Sequence, residues 1–201
     1  MTKTNKTKYA LMGVLSIRPM SGYDIRRTIQ NSIGYFWNES FGQIYPMLRQ
    51  LVGEGLATRQ AGPKSGGRDR YVYSLTDRGI DALQSWLALS PEPDLVRSEF
   101  LLKLFFGRQA TVPSNLEHIK LEKERCTSEL KTLAGIEDTL EALRAKDPVA
   151  IYWLMTVSYG KRSLEATIAW CDEAMEVLKQ LQNITGTSNT GAQKPLRKDP
   201  I

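Results

Sequence analysis

The sequence predicts a mainly α-helical fold with a small β-wing, divided into two parts, and three observations predict it. Apolar residues recur at three- and four-residue steps over much of the 201-residue chain. Two short segments, residues 56–60 and 71–75, flank the turn sequence GPKSGG and read as the strands of a hairpin. In SPEPDLVRS, two prolines two residues apart break the helical pattern and mark a boundary.

The elements follow in order. YALMGVLSI is an apolar helix that ends before Pro19. SGYDIRRTI opens a second helix with a cap pair, Ser21 and Asp24. In the third, Ser40 and Gln43 have capping-box spacing, each side chain reaching the other's backbone N–H. Ile44, Leu48, Leu51 and Val52 mark its buried face, which leaves Gln43, Tyr45, Arg49 and Gln50 to meet a partner. Pro46 removes a backbone donor and crowds the Gly42 carbonyl, so a kinked or loosely wound first turn is expected. Gly53 to Gly55 stop the helix, and the hairpin follows with Lys64, Arg68 and Arg70 at or beside its tip. A fourth helix runs from about Thr76 to Leu89.

Helix, helix, helix, strand, strand, helix is the order of a winged helix-turn-helix, here residues 1–89. Such a unit places one helix in the major groove and a cationic hairpin on the neighbouring backbone. The candidate DNA-binding residues are therefore Ser40, Gln43, Tyr45 and Arg49 on the third helix and Lys64, Arg68 and Arg70 on the wing. Charge agrees. Residues 1–89 hold 12 Lys or Arg against 6 Asp or Glu, whereas residues 90–201 hold 15 against 16, so the positive excess lies in the part that would meet a polyanion.

After a linker at 90–98, residues 99–184 read as a helical dimerisation domain. Phe100, Leu101, Leu104 and Phe105 form a short apolar helix expected to pack against the rest of that domain. A long helix from Pro113 to about Lys146 carries Leu116, Ile119, Cys126, Leu130, Leu133 and Leu140, with Lys123 and Glu137 interrupting the register. A second, from about Pro148 to Asn183, carries Trp153, Val157, Gly160, Leu164, Thr167, Cys171, Ala174, Leu178 and Leu181 at four-three spacing. Two long helices and a short one enclose little interior, so this stripe is read as a homodimer seam, with Trp153, Val157, Gly160, Leu164, Thr167, Cys171 and Leu178 at the contact. Residues 185–201, rich in Gly, Thr, Asn and Pro with a basic end, read as a disordered tail.

Other function classes are disfavoured. The one histidine, His118, has no ligand cluster around it, and neither a phosphate loop nor a nucleophile elbow occurs, so an enzyme, a metal and a cofactor are not expected. No apolar run has the length of a membrane span and the N-terminal TKTNKTK is polar, which predicts a soluble cytoplasmic protein without a membrane partner. Cys126 and Cys171 are read as packed and reduced.

SGYDI, GYFWNES, GQIYPMLRQLVGEGLA and YSLTDRG, in that order, resemble the PadR family of bacterial transcriptional regulators over roughly residues 9–89, and VRSEFLLKLFFG with two long helices resembles the C-terminal dimerisation domain of its longer subgroup. The resemblance implies a homodimer on double-stranded DNA at a palindromic operator, usually a repressor, released by a small molecule or another signal in some members. A small aromatic effector would suit a cavity between the domains lined by Trp86, Phe105 and Trp153. The alternative is a protein-interaction module whose helical half recruits a partner and whose DNA binding is weak or lost.

Overall fold

The computed structural model describes residues 5–37, 41–62, 70–93 and 97–187. They form two units, Met1–Asp94 and Leu95–Ile201.

In the first unit, α1 (Lys6–Ile17) starts at Asn5, whose side chain accepts from the Lys8 N–H, and buries Leu11, Met12, Val14 and Leu15. Pro19 stops it, because a residue before proline is driven out of the helical region, and Arg18 is accordingly extended. That extended geometry carries on into β1 (Met20–Ser21), which pairs antiparallel with the later strand β3 (Tyr71–Leu75), Met20 opposite Tyr73 and Ser21 opposite Val72. A two-residue strand is too short for any periodicity, and the sequence reading did not anticipate it. Ser21 then serves twice, as the last strand residue and as the N-cap of α2 (Gly22–Ser32), where the expected Ser21–Asp24 capping box forms in full.

The third helix, α3 (Phe41–Gly53), buries Ile44, Met47, Leu48 and Leu51. It is helical from Phe41 through Pro46. The carbonyl facing the missing donor is that of Gly42, in the first turn, so the proline deprives the helix of one bond where its ladder is only beginning. The far end closes as a Schellman motif: Leu56 N–H donates to the Leu51 carbonyl (2.9 Å) and Gly55 N–H to that of Val52 (3.1 Å). Gly55 takes the required left-handed turn at φ 70°.

Next, β2 (Ala57–Ala61) pairs with β3 from Ala57 opposite Leu75 to Ala61 opposite Tyr71, giving the sheet order β1-β3-β2. Thr76 caps α4 (Asp77–Leu87), accepting from Gly79 N–H (3.1 Å) while its hydroxyl donates to the Gly55 carbonyl (2.8 Å), which ties the start of α4 to the end of α3. One core joins these elements, drawing on α1, α2, α3, the sheet and Leu83 of α4.

The second unit holds α5 (Glu99–Phe105), a 3-10 turn (Gly107–Gln109), α6 (Val112–Arg144) and α7 (Ala150–Thr187). α7 extends three residues into the segment read as tail, and 188–201 lie outside the described residues. α6 and α7 form an antiparallel hairpin, shown by ion pairs whose members move in opposite directions along the two helices: Lys123 with Asp172 (2.5 Å) and Glu137 with Lys161. The two residues that interrupt the apolar register of α6 are thus its polar links to α7. Ile119, Cys126 and Leu133 on α6 and Ala150, Val157 and Cys171 on α7 are buried at seven-residue multiples, the repeat of a coiled-coil seam. Both cysteines are free, and burial pushes both thiols up.

Two expectations change here. The α7 stripe read as a dimer seam packs within the chain: Val157 and Cys171 are 1% and 0% exposed without any second copy, and Trp153, Gly160, Leu164, Thr167 and Leu178 beside them are half-buried. A single antiparallel partner, α6, is enough to cover one stripe. In α5, no residue is fully buried: Phe100 meets Trp170 edge-on at 5.9 Å and Leu104 is half-covered, but Leu101 and Phe105 are exposed. A seven-residue helix has only two turns with which to cover an almost wholly apolar circumference.

Candidate nucleic-acid interface

The outer face of α3 follows from its inner one. With Ile44, Met47, Leu48 and Leu51 turned to the core, Gln43, Tyr45, Arg49 and Gln50 are exposed, as the apolar spacing requires. Gln50 is committed locally, donating to Glu54 (2.7 Å), which also receives Lys8 of α1 (2.5 Å). The Lys8 and Gln50 hydrogen bonds hold the Glu54 carboxyl below its usual range. Gln43, Tyr45 and Arg49 make up the rest of the polar surface.

Tyr45 is seated on α2. A Cβ at Gly22 would lie 2.5 Å from its Cε1 and 2.9 Å from its Cζ, so the absent side chain is what lets the ring lie there. Beside the hairpin, Arg59 of β2 places its guanidinium 4.3 Å from the centre of the Tyr71 ring, a cation–π pair on exposed residues of adjacent strands. Sequence reasoning missed Arg59. The signal was the one cation of β2 placed opposite a strand that carries alternating tyrosines.

Of the wing cations, Lys64 and Arg68 lie outside the described residues, as does Ser40. Arg70 is described and is engaged: its guanidinium pairs with the Asp24 carboxylate of the α2 capping box. Burial raises the Asp24 carboxyl, but hydrogen bonds from Ser21 and Arg70 outweigh it and leave the group below its usual range. Along α2, Arg18, Asp24, Arg27, Thr28, Asn31 and Ser32 line an open polar cavity of about 320 Å³. Sequence reasoning also missed Arg18, which ends α1, and Arg27 on α2, because neither lies in a cap or an apolar stripe.

The residues proposed for an effector are spread over both units. Trp86 stacks on Tyr9 with ring centroids 4.5 Å apart and planes 7° from parallel, so one of its faces is filled within the first unit. Phe105, 80% exposed, ends α5, and Trp153 is half-buried on α7. His118 is half-buried on α6, and among the described residues no group of three or more His, Cys, Asp or Glu could hold a metal ion.

Three helices packed with a small sheet, whose last two strands pair antiparallel, and a third helix with an exposed polar face define the first unit as a winged helix-turn-helix. The family model described as transcriptional regulator PadR-like family matches residues 11–85, and the one described as virulence activator alpha C-term matches residues 96–179. The negative transcriptional regulator PadR of Bacillus subtilis (strain 168) is 33% identical over 139 residues, 69% of this chain and 75% of that protein. Bacillus subtilis PadR in complex with operator DNA is similar at a TM-score of 0.76 and 25% identity, over 87% of this chain and 99% of that one. The same protein in complex with p-coumaric acid gives 0.70 and 26%, over 86% and 98%. The chain belongs to the PadR-like family of transcriptional regulators.

Proposed function

We propose that the protein is a homodimeric repressor that binds a palindromic operator in double-stranded DNA and is released by a small aromatic effector. The observation that carries this is the exposed face of α3, where Gln43, Tyr45 and Arg49 stand clear of a fully packed inner face. Gln43 and Tyr45 lie early in the helix, the part that reaches base edges in this class of fold. Arg49 and Arg59, with Lys64 and Arg68 of the hairpin tip, supply phosphate contacts. The relative from Bacillus subtilis is described as a negative regulator, and its structures with operator DNA and with p-coumaric acid support both halves of the reading. The protein acts by binding rather than catalysis, in the cytoplasm and on the nucleoid; no helix among the described residues is long and apolar enough to cross a membrane.

The dimer contact is assigned to the apolar surface that α6 leaves uncovered. On α7 it comprises Tyr152, Met155, Tyr159 and Val177, 63–76% exposed, and α5 adds Leu101, Leu102, Phe105 and Phe106. An apolar face of this extent is what a second copy would cover.

The test is a gel shift with the duplex upstream of the protein's own gene across a salt series. Retarded complexes that weaken steeply with salt are expected, and Lys64→Ala with Arg68→Ala should flatten the slope by roughly one unit per lost phosphate contact. Binding no tighter to that duplex than to a scrambled one would reject the operator reading. Titration with p-coumaric acid and related phenolic acids should quench tryptophan fluorescence and release DNA over one concentration range, since an effector acts only through different affinities for two states.

A further inference from the structure

We propose that the first turn of α2 registers the reading helix and the wing against one another, with Asp24 as the positioning residue at the wing root. The proposal rests on the DNA-binding reading above.

Asp24 does more than a capping box requires. Its Oδ2 accepts the Ser21 N–H (3.2 Å) and the Ser21 hydroxyl (2.7 Å), which complete the cap, and also the guanidinium of Arg70, 46 residues away in sequence. Arg70 stands at the root of the hairpin. Its carbonyl accepts from Gly62 N–H (2.6 Å), the outermost backbone bond of the hairpin among the described residues, and β3 begins at the next residue. Val72, two residues after Arg70, pairs with Ser21, so the cap residue and the Asp24 carboxylate grip the same short stretch of chain.

Two residues before Asp24, Gly22 provides the flat surface on which the Tyr45 ring rests. Two residues of the first turn of α2, Gly22 and Asp24, therefore touch the outer aromatic of α3 and the root of the wing. A two-stranded ribbon pivots easily about its root, and β1 restrains it through only two residue pairs. The ion pair is partly exposed, with 39% of the Arg70 side chain and 27% of that of Asp24 accessible, and pairs of that kind add little stability. Its consequence is geometric: it sets the pitch at which the wing leaves the sheet while Tyr45 is held to the same turn.

The experiment uses the full-length protein with Asp24→Asn, Arg70→Met, the double variant, Arg70→Lys and Gly22→Ala. Affinities are measured across a salt series for the duplex from the gene's own upstream region and for a scrambled duplex of equal composition. Each of Asp24→Asn and Arg70→Met should lower the ratio of specific to scrambled binding about tenfold, the size of one lost base contact, at unchanged salt slope. The double variant should lose no more than either single one, Arg70→Lys should recover part of the ratio, and Gly22→Ala should also lower it. Hydrogen exchange of the free protein should quicken at residues 57–62 and 70–75 in Asp24→Asn and Arg70→Met, with helical circular dichroism retained.

A different pattern overturns the proposal. If Arg70→Met weakens both duplexes equally and flattens the slope while Asp24→Asn strengthens both, Arg70 is a phosphate ligand and Asp24 its competitor. Additive losses in the double variant, or unchanged exchange at the wing strands, also reject the coupling. A wild-type protein that prefers neither duplex rejects the operator reading instead, and the exchange measurement still decides whether the clasp holds the wing.

Discussion

Asp24 gives the first unit a specific acid response. Its folded-state pKa lies below the ordinary 3.8, so the stability it contributes is fully present above that value and is lost as pH falls through the lower folded value. Asp24→Asn should therefore lower the melting temperature by a few degrees at neutral pH, and thermal scans should show the gap to wild type closing below about pH 4. A gap that stays constant into acid would mean that charge is not what Asp24 contributes. Gly55 has a different dependence, on backbone rather than charge: at φ 70° a Cβ costs about 1–2 kcal/mol, so Gly55→Ala should lose about that much by denaturant titration without altering DNA contacts directly.

At the level of the element, α7 is apolar on two sides, one covered by α6 and one open. The side bearing Val157 and Cys171 is sealed by α6, whereas the side bearing Tyr152, Met155, Tyr159 and Val177 is open. Leu133→Ala, at a position 2% exposed in the α6–α7 seam, should cost about 2–5 kcal/mol, read from chemical unfolding. Its effect on self-association should be secondary to that loss. Leu164→Asp puts a charge beside the same seam and should reduce helical circular dichroism.

For the whole molecule, the proposed dimer contact lies on the open side of α7. Tyr159, 76% exposed, leaves the α6–α7 seam undisturbed when replaced, so Tyr159→Asp should yield a monomer by sedimentation with wild-type helix content. Operator affinity should then fall while half-site affinity is kept, because the second reading head no longer binds at the effective concentration set by the first. A Tyr159→Asp protein that stays dimeric would move the contact to the α5 surface. Contrast with Leu164→Asp, which is expected to lose helix content and association together, separates folding from assembly.

Local order decided much of the architecture. Ser21 with Asp24, Thr76 before α4 and Gly53 to Gly55 at the end of α3 act on neighbours three to five residues away, and each cap or stop forms where its residues stand. The core face of α3, and with it the exposure of Gln43, Tyr45 and Arg49, followed from helical spacing for the same reason. What needed the folded chain were choices between equivalent options and contacts distant in sequence. A helix apolar on opposite sides does not specify in its own residues which side its hairpin partner covers, and the folded chain buries Val157 and Cys171 of the α7 stripe within the α6–α7 hairpin. Lys123 and Glu137 looked like breaks in a pattern until Asp172 and Lys161 stood opposite them. β1 exists only because β3 offers it an edge, and Arg70, one cation among several near a turn, was assigned its partner by a fold that brings it to Asp24 across 46 residues. Caps and periods are interactions of short range; pairing partners and packed faces depend on where the whole chain returns.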